Sequence, residues 1–177
     1  MADGILTGIL IAIPILGVLF ELLGGSGISE RHHSHHDTYQ IVSSLSSALV
    51  VAMVFMGVTG LLLSWLCNVG VFNMDTTVTL GFFAAFLVVL FAIWLCLRRY
   101  RVVTYDACMI VTPFMGKSVT VRYRDIDRME WTGIRTGTGY RNLNVFVDGK
   151  RVAMLWGVLD LEQILLRIDR FDVLASQ

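Results

Sequence analysis

Three long apolar runs dictate what this chain can become. Ile5 to Leu23 covers 19 residues broken only by Thr7, small residues, Pro14 and Glu21. Ile41 to Leu66 is a second run, and Val78 to Leu97 a third with no charge anywhere in it. An α-helix rises about 1.5 Å per residue, so roughly 20 apolar residues cross a hydrocarbon core of about 30 Å. The chain is 55% hydrophobic and only 16% charged, too apolar for an ordinary soluble domain. Three transmembrane helices are therefore expected, at about 5–23, 41–66 and 78–97, within a membrane region of residues 1–97. A cleaved signal peptide is the rival for the first run, but Met1-Ala2-Asp3 supplies no base and no small-x-small cleavage pattern follows.

The net charge of zero averages two unlike halves. Of the 14 Lys and Arg residues, 13 follow Leu97, against 9 acidic residues in the same segment, so residues 98–177 carry about +4 and the first 97 about −4. Arg98, Arg99 and Arg101 abut the third run, whereas Cys67 to Thr77 contains Asp75 and no base. Bases near span ends stay on the cytoplasmic side. The expected protein is a multi-pass protein of the inner (plasma) membrane, with its N-terminus and the 67–77 connection outside. The 24–40 loop and residues 98–177 are then cytoplasmic.

Close helix approach is written into the spans. Gly4, Gly8 and Ala12 recur every four residues on the first, and Gly57 and Gly60 notch the second. Small residues let helices pack in lipid, either inside one subunit or between copies. Ser43, Ser44, Ser46 and Ser47 open the second span, and Glu21 near the inner end of the first is expected to reach toward the interface.

Beyond Arg101 the hydrophobic period changes to two. Val119, Val121 and Tyr123 alternate with Ser118, Thr120, Arg122 and Arg124; Leu143, Val145 and Val147 alternate with Asn142 and Asn144. Asp148-Gly149 separates this last strand from another half-buried one in which Val152, Met154 and Trp156 again alternate as its apolar face, a tight-hairpin pattern. Six strands are predicted, near 101–105, 109–112, 117–123, 128–131, 143–147 and 152–156. A helix over 160–171 then places Leu161, Ile164, Leu165, Ile168 and Phe171 on one face, with Asp160 and Gln163 as a capping box. The piece from about Arg101 to Gln177 is expected to fold by itself.

That order, with Tyr105-Asp106-Ala107-Cys108-Met109-Ile110-Val111, Val121-Arg122-Tyr123-Arg124-Asp125-Ile126-Asp127-Arg128-Met129, the Asp148-Gly149-Lys150 turn and a closing helix, resembles the pleckstrin-homology-like (PH) domain of bacterial membrane proteins. The resemblance covers Arg98 to Phe171. It implies a bent, partly open β-sheet closed by one α-helix, a fold that binds lipids or proteins beside membranes. Two departures stand out: six legible strands where seven are usual, and one lysine, Lys117, where inositide binders carry a Lys-x-Arg cluster. A tethered oligonucleotide-binding-type barrel is a further reading, and the closing helix argues against it.

Few residues offer chemistry. His32, His33, His35 and His36 with Asp37 form a candidate transition-metal site, zinc for instance, because imidazoles at i, i+3 and i+4 spacing can supply donor nitrogens to one ion. The bland reading is a solvated juxtamembrane loop. Lys117, Arg122, Arg124, Arg128, Arg135 and Arg141 are the candidate lipid- or partner-binding residues. Cys67, Cys96 and Cys108 form no C-x-x-C pair. The glycine-rich stretch 136–141 leads into no helix, unlike a phosphate-cradling loop. No catalytic triad, carboxylate pair or nucleotide fingerprint is present, so neither an enzyme, a small-molecule substrate nor a nucleic-acid partner is expected. The expected function is a membrane scaffold presenting an interaction module to anionic lipid, a membrane-protein partner or another copy of itself. The alternative is a small transporter or channel subunit with a metal- or pH-responsive His loop.

Overall fold

The computed structural model describes residues 2–24, 30–33, 36–41, 43–133 and 141–174. It divides into two compact units: a helical one of Met1–Ser26 and Ser43–Leu97, and a β-rich one of Gly27–Val42 and Arg98–Gln177.

The helical unit contains α1 (Ala2–Gly24), α2 (Ser43–Asn68) and α3 (Thr76–Arg99). All three are long and apolar enough to cross a membrane, and at most 28% of each span is buried against protein. Phe55, Val58, Phe82 and Val89 are exposed on these helices, which are apolar all round, as helices solvated by lipid are. Asp75 starts α3: its carboxylate accepts from the Thr77 and Val78 amides at 2.7 and 3.2 Å. The interior is built around Leu10, Met53, Leu87 and Trp94.

The β-rich unit contains two antiparallel sheets. The first is β1 (Glu30–His33), β2 (His36–Gln40), β3 (Arg101–Tyr105), β4 (Cys108–Thr112) and β5 (Val119–Arg122), paired in that order. The second is β6 (Arg128–Thr132), β7 (Asn142–Val147) and β8 (Lys150–Leu155). Helix α4 (Leu161–Ile168) buries Leu161, Ile164, Leu165 and Ile168 in the core formed with Val102, Met109, Met129 and Leu143. Arg170 clamps the join between the sheets: its Nη1 donates to the Tyr123 carbonyl at 2.8 Å and its Nη2 to the Ile126 carbonyl at 3.3 Å.

Four expectations need correction. Residues 24–40 do not merely connect α1 to α2. Residues 30–33 and 36–40 form a hairpin that joins β3, with Gln40 opposite Arg101 and Tyr39 opposite Val102. Tyr39, 4% exposed, is the large apolar side chain that the described residues of this polar stretch bury in the core. A piece beginning at Arg101 therefore lacks a core strand.

On β8 the inward residues are Ala153 and Leu155, not Val152, Met154 and Trp156. Directly paired residues share a sheet face, and the register places Leu155 opposite Leu143 and Ala153 opposite Val145, both fully buried. Asn144 pairs with Met154 on the outer face, as expected of it, yet is buried rather than solvated; its Nδ2 donates to Thr132 Oγ1.

Finally, α4 stops at Ile168. Asp169 takes the left-handed conformation (φ 50°) and its amide bonds to the Leu165 carbonyl, so Phe171 falls in a 3-10 turn and is exposed. The predicted cap is present, with Asp160 Oδ1 accepting from the Gln163 amide at 3.2 Å. So is the hairpin, where Asp148 and Gly149 both have positive φ, as a type I′ turn requires.

Candidate functional site

The basic residues do not form one continuous positive face. Arg122 ends β5 in the first sheet, and Arg128 begins β6 in the second. Arg124, in the 3-10 turn between them, has Nε 3.4 Å from Asp125 Oδ1. Arg128 Nε lies 3.1 Å from Glu130 Oε1, and its guanidinium sits 4.6 Å from the centre of the Phe146 ring. Such exposed pairs add little stability, but each carboxylate cancels part of the field that an anionic surface would meet. Arg122 and Asp125 share a shallow depression of about 300 Å³ with Val119, Val147 and Val152. The result is a mosaic of both signs. Lys117 is exposed on the β4–β5 loop, Arg141 is half-buried at the start of β7, and Arg135 lies outside the described residues.

The histidine cluster lies in and beside the β1–β2 hairpin. His32, His33 and His36 belong to strands, not to a helix, with His32 opposite Asp37 and His33 opposite His36. The imidazoles, and all of His35, lie outside what is described. Asp37 is engaged by a cation: its Oδ2 is 3.8 Å from Arg167 Nε, while Arg167 Nη2 donates to Asp106 Oδ1 at 2.8 Å. Among the described residues no three His, Cys, Asp or Glu side chains converge as a metal site.

An aromatic pocket escaped sequence reasoning. The Tyr100 ring stacks on Phe114 at 4.6 Å, and Phe114 meets Trp156 edge-on at 4.5 Å. The Tyr100 hydroxyl accepts from the Trp156 amide at 3.0 Å and donates to the Met154 carbonyl at 3.1 Å. Burial pushes its phenol above the usual tyrosine range, opposed by the Trp156 amide, so it remains a neutral hydrogen-bonding group. The cavity, about 290 Å³, is also lined by Val152 and Met154, the residues on the outer face of β8, and by Arg151. Tyr123 is likewise raised, mainly by burial; its hydroxyl donates to the Tyr105 carbonyl at 2.9 Å. Each aromatic is visible in the sequence, but only the register of β8 brings Trp156 to Tyr100.

In the helical unit, Glu21 is anchored where the sequence suggested simple reach toward the interface. Ser46 and Ser47 donate to its carboxylate at 3.0 and 2.8 Å, and Trp94 Nε1 donates to Ser46 Oγ at 3.0 Å, so one network joins α1, α2 and α3. A carboxylate near lipid needs such partners. The packing glycines divide into two sets. A Cβ on Gly57 would come within 2.8 Å of the Leu10 carbonyl, and one on Gly60 within 2.8 Å of Phe83, so both are spent on contacts within the unit. Gly4 and Gly8 meet nothing within 4 Å, and Ala12 is exposed beside them.

Comparison of the chain with protein-family models, with curated proteins and with solved structures finds no match.

Proposed function

We propose that this chain is a non-enzymatic, membrane-anchored interaction module, a PH-like β unit held at the inner surface of the membrane to recruit a protein partner. One observation carries the reading: β2, from the segment between α1 and α2, pairs along its length with β3, which follows α3. The module is thus built from chain entering at three helix ends, which limits its freedom far more than a single tether would. Antiparallel strands closed by a C-terminal helix support this reading, although the PH resemblance implies one bent, partly open sheet and this unit has two. Holding a domain at the surface makes its second contact effectively intramolecular. The mixed charges of Arg124, Asp125, Arg128 and Glu130 suit a protein surface of complementary pattern better than a uniformly anionic bilayer.

Sidedness follows from connectivity, since the 30–40 hairpin and residues 98–177 share a sheet. Reporters inserted at 26–29 and fused after Gln177 are expected to be cytoplasmic, and one inserted at 70–73 to be outside. Opposite answers from the first two positions would refute the shared sheet.

Recruitment is tested by purifying the full chain in mild detergent beside a triple variant, Arg122→Glu, Arg124→Glu and Arg128→Glu. The expected result is a stoichiometric protein that accompanies the native chain and is reduced at least tenfold with the variant, while thermal stability is unchanged. Equal retention by both chains would sink this recruitment surface. The alternative, a transport or channel subunit, draws on Glu21, but the Ser46–Ser47–Trp94 network accounts for that carboxylate as a clamp between helices.

A further inference from the structure

We infer that the free edge of β5 receives an extended, acidic segment of a partner protein, which adds to the sheet as one more strand and places an apolar side chain in the cleft between β5 and β8. This rests on the recruitment reading above and names the kind of partner that the surface around Arg122 accepts.

The free edge follows from strand order and one hydrogen bond. β5 is last in the first sheet and β8 last in the second, and among the described residues no backbone hydrogen bond joins them. The Tyr123 amide donates to the Ala107 carbonyl at 3.1 Å, one step beyond the pairing of Arg122 with Cys108. Along an antiparallel ladder, residues that exchange hydrogen bonds with the neighbouring strand alternate with residues whose backbone groups point away from it. Val121 and Val119 therefore bond to β4, whereas the amides and carbonyls of Thr120 and Arg122 point outward, where no strand lies. The edge of β8 shows what such groups require. There the Tyr100 hydroxyl stands in for a strand, donating to the Met154 carbonyl and accepting from the Trp156 amide. Among the described residues, no side chain does the same for β5.

The cleft and its charge choose the segment. Beside the edge lie two depressions, of about 290 and about 300 Å³, that share Val119 and Val152 in their walls. All four residues of β5 line the second, so it runs along the open edge, while the first reaches Phe114 and Trp156. Val119 and Met154, one from each strand, are both 37% exposed, apolar surface that neither sheet covers. Each depression is at the lower limit, about 300 Å³, of pockets that hold a whole small molecule. Together they suit the side chains of an extended segment, whose backbone bonds supply affinity while the pockets supply selectivity. Directly opposed residues share a sheet face, so the added residue opposite Val119 faces the cleft and is apolar. The one opposite Arg122, three positions along, faces outward beside that guanidinium and is acidic. Arg122 is exposed and, unlike Arg124 and Arg128, has no carboxylate partner among the described residues. Asp125, which lines the same depression, is engaged by Arg124. Lys117 before β5 and Arg151 in the first depression add further positive charge. Such bases oppose edge-to-edge pairing of two copies and favour an acidic partner.

The test pans a displayed library of random peptides on the full chain in mild detergent and measures the selected peptides, fluorescently labelled, by anisotropy. They are expected to carry a carboxylate three residues from a bulky apolar side chain, and on binding to slow deuterium exchange in Val119–Arg122 at least tenfold. Thr120→Pro should weaken binding at least tenfold, because it removes one outward amide and no bond to β4. Arg122→Glu should weaken it as much, and the same peptide with lysine in place of its carboxylate should bind this variant as the acidic one binds the native chain. That exchange of charges decides the matter even where the proline disturbs β5. A library that yields no binder overturns the proposal, as do binders that hold both variants as tightly as the native chain or leave exchange at Val119–Arg122 unchanged. Binders without a carboxylate overturn the acidic assignment. Co-purification separates the two levels. An accompanying protein lost with the Arg122, Arg124 and Arg128 triple variant but retained by Thr120→Pro defeats strand addition alone, whereas no accompanying protein at all defeats the recruitment reading beneath it.

Discussion

Residues 98–177 expressed alone are expected to lack a cooperative thermal transition, and to regain one when residues 27–42 are joined ahead of them by a short glycine-serine loop. Without β2 the sheet ends at β3, whose outward backbone groups lose their partners and become an edge open to aggregation. The core also loses the Tyr39 ring, and removing a buried aromatic side chain costs about 3–5 kcal/mol. That is a large part of the roughly 5–15 kcal/mol that stabilises a typical domain. Thr104 Oγ1, fully buried, loses its acceptor at the Asp37 carbonyl as well. Because Gln40 sits opposite Arg101, a loop of hairpin length can replace α2 and α3 without disturbing the pairing. Circular dichroism during heating distinguishes the two chains. Equal midpoints with and without residues 27–42 would show that the hairpin is not part of the folded unit.

Leu165→Asp is expected to unfold the same joined unit, whereas Leu166→Asp, one position along α4, should leave it intact. Leu165 is 6% exposed and Leu166 is 68% exposed, so adjacent identical residues have opposite environments. An aspartate at 165 loses the leucine's packing and places a carboxylate among Met109, Ile164 and their neighbours with no cation provided for it. The combined loss is at least about 4 kcal/mol, in the range reserved for buried charges and large cavities. At 166 the change is expected to stay within about 0.5 kcal/mol, the usual range for surface positions. Urea unfolding of the two variants provides the measurement, and similar midpoints would mean that α4 does not pack by the face described.

The parts of the β-rich unit that could be read in advance are those with local causes. Asp148-Gly149 is a turn because both residues tolerate positive φ, whatever lies around them. Asp160 caps α4 through an amide three residues away. The facing of β8 was misread because Val152, Met154 and Trp156 are as apolar as Ala153 and Leu155 together. Only pairing with β7 decides which set turns inward. The candidate site suffered similarly. Arg122, Arg124 and Arg128 are evident as bases, but the pairing of Arg124 with Asp125 and of Arg128 with Glu130 depends on side-chain geometry in a turn and along a strand. That the His segment pairs as strands was not legible, because its partners lie on β3 far along the chain.

By itself, the sequence determined the three membrane-length helices, the sign of charge beyond them and the turns and caps of the C-terminal strands. Each follows from properties that act over a few residues: transfer of apolar side chains out of water, backbone preferences and local hydrogen bonds. Tertiary structure alone decided that residues 36–40 complete a sheet with residues 101–105, that Tyr100, Phe114 and Trp156 form one pocket, and that Glu21 ties three helices together. Those outcomes depend on partners separated by whole helices or strands in the chain. They are selected by the collective burial of surfaces such as Tyr39 against the core, a quantity that no local stretch of residues encodes.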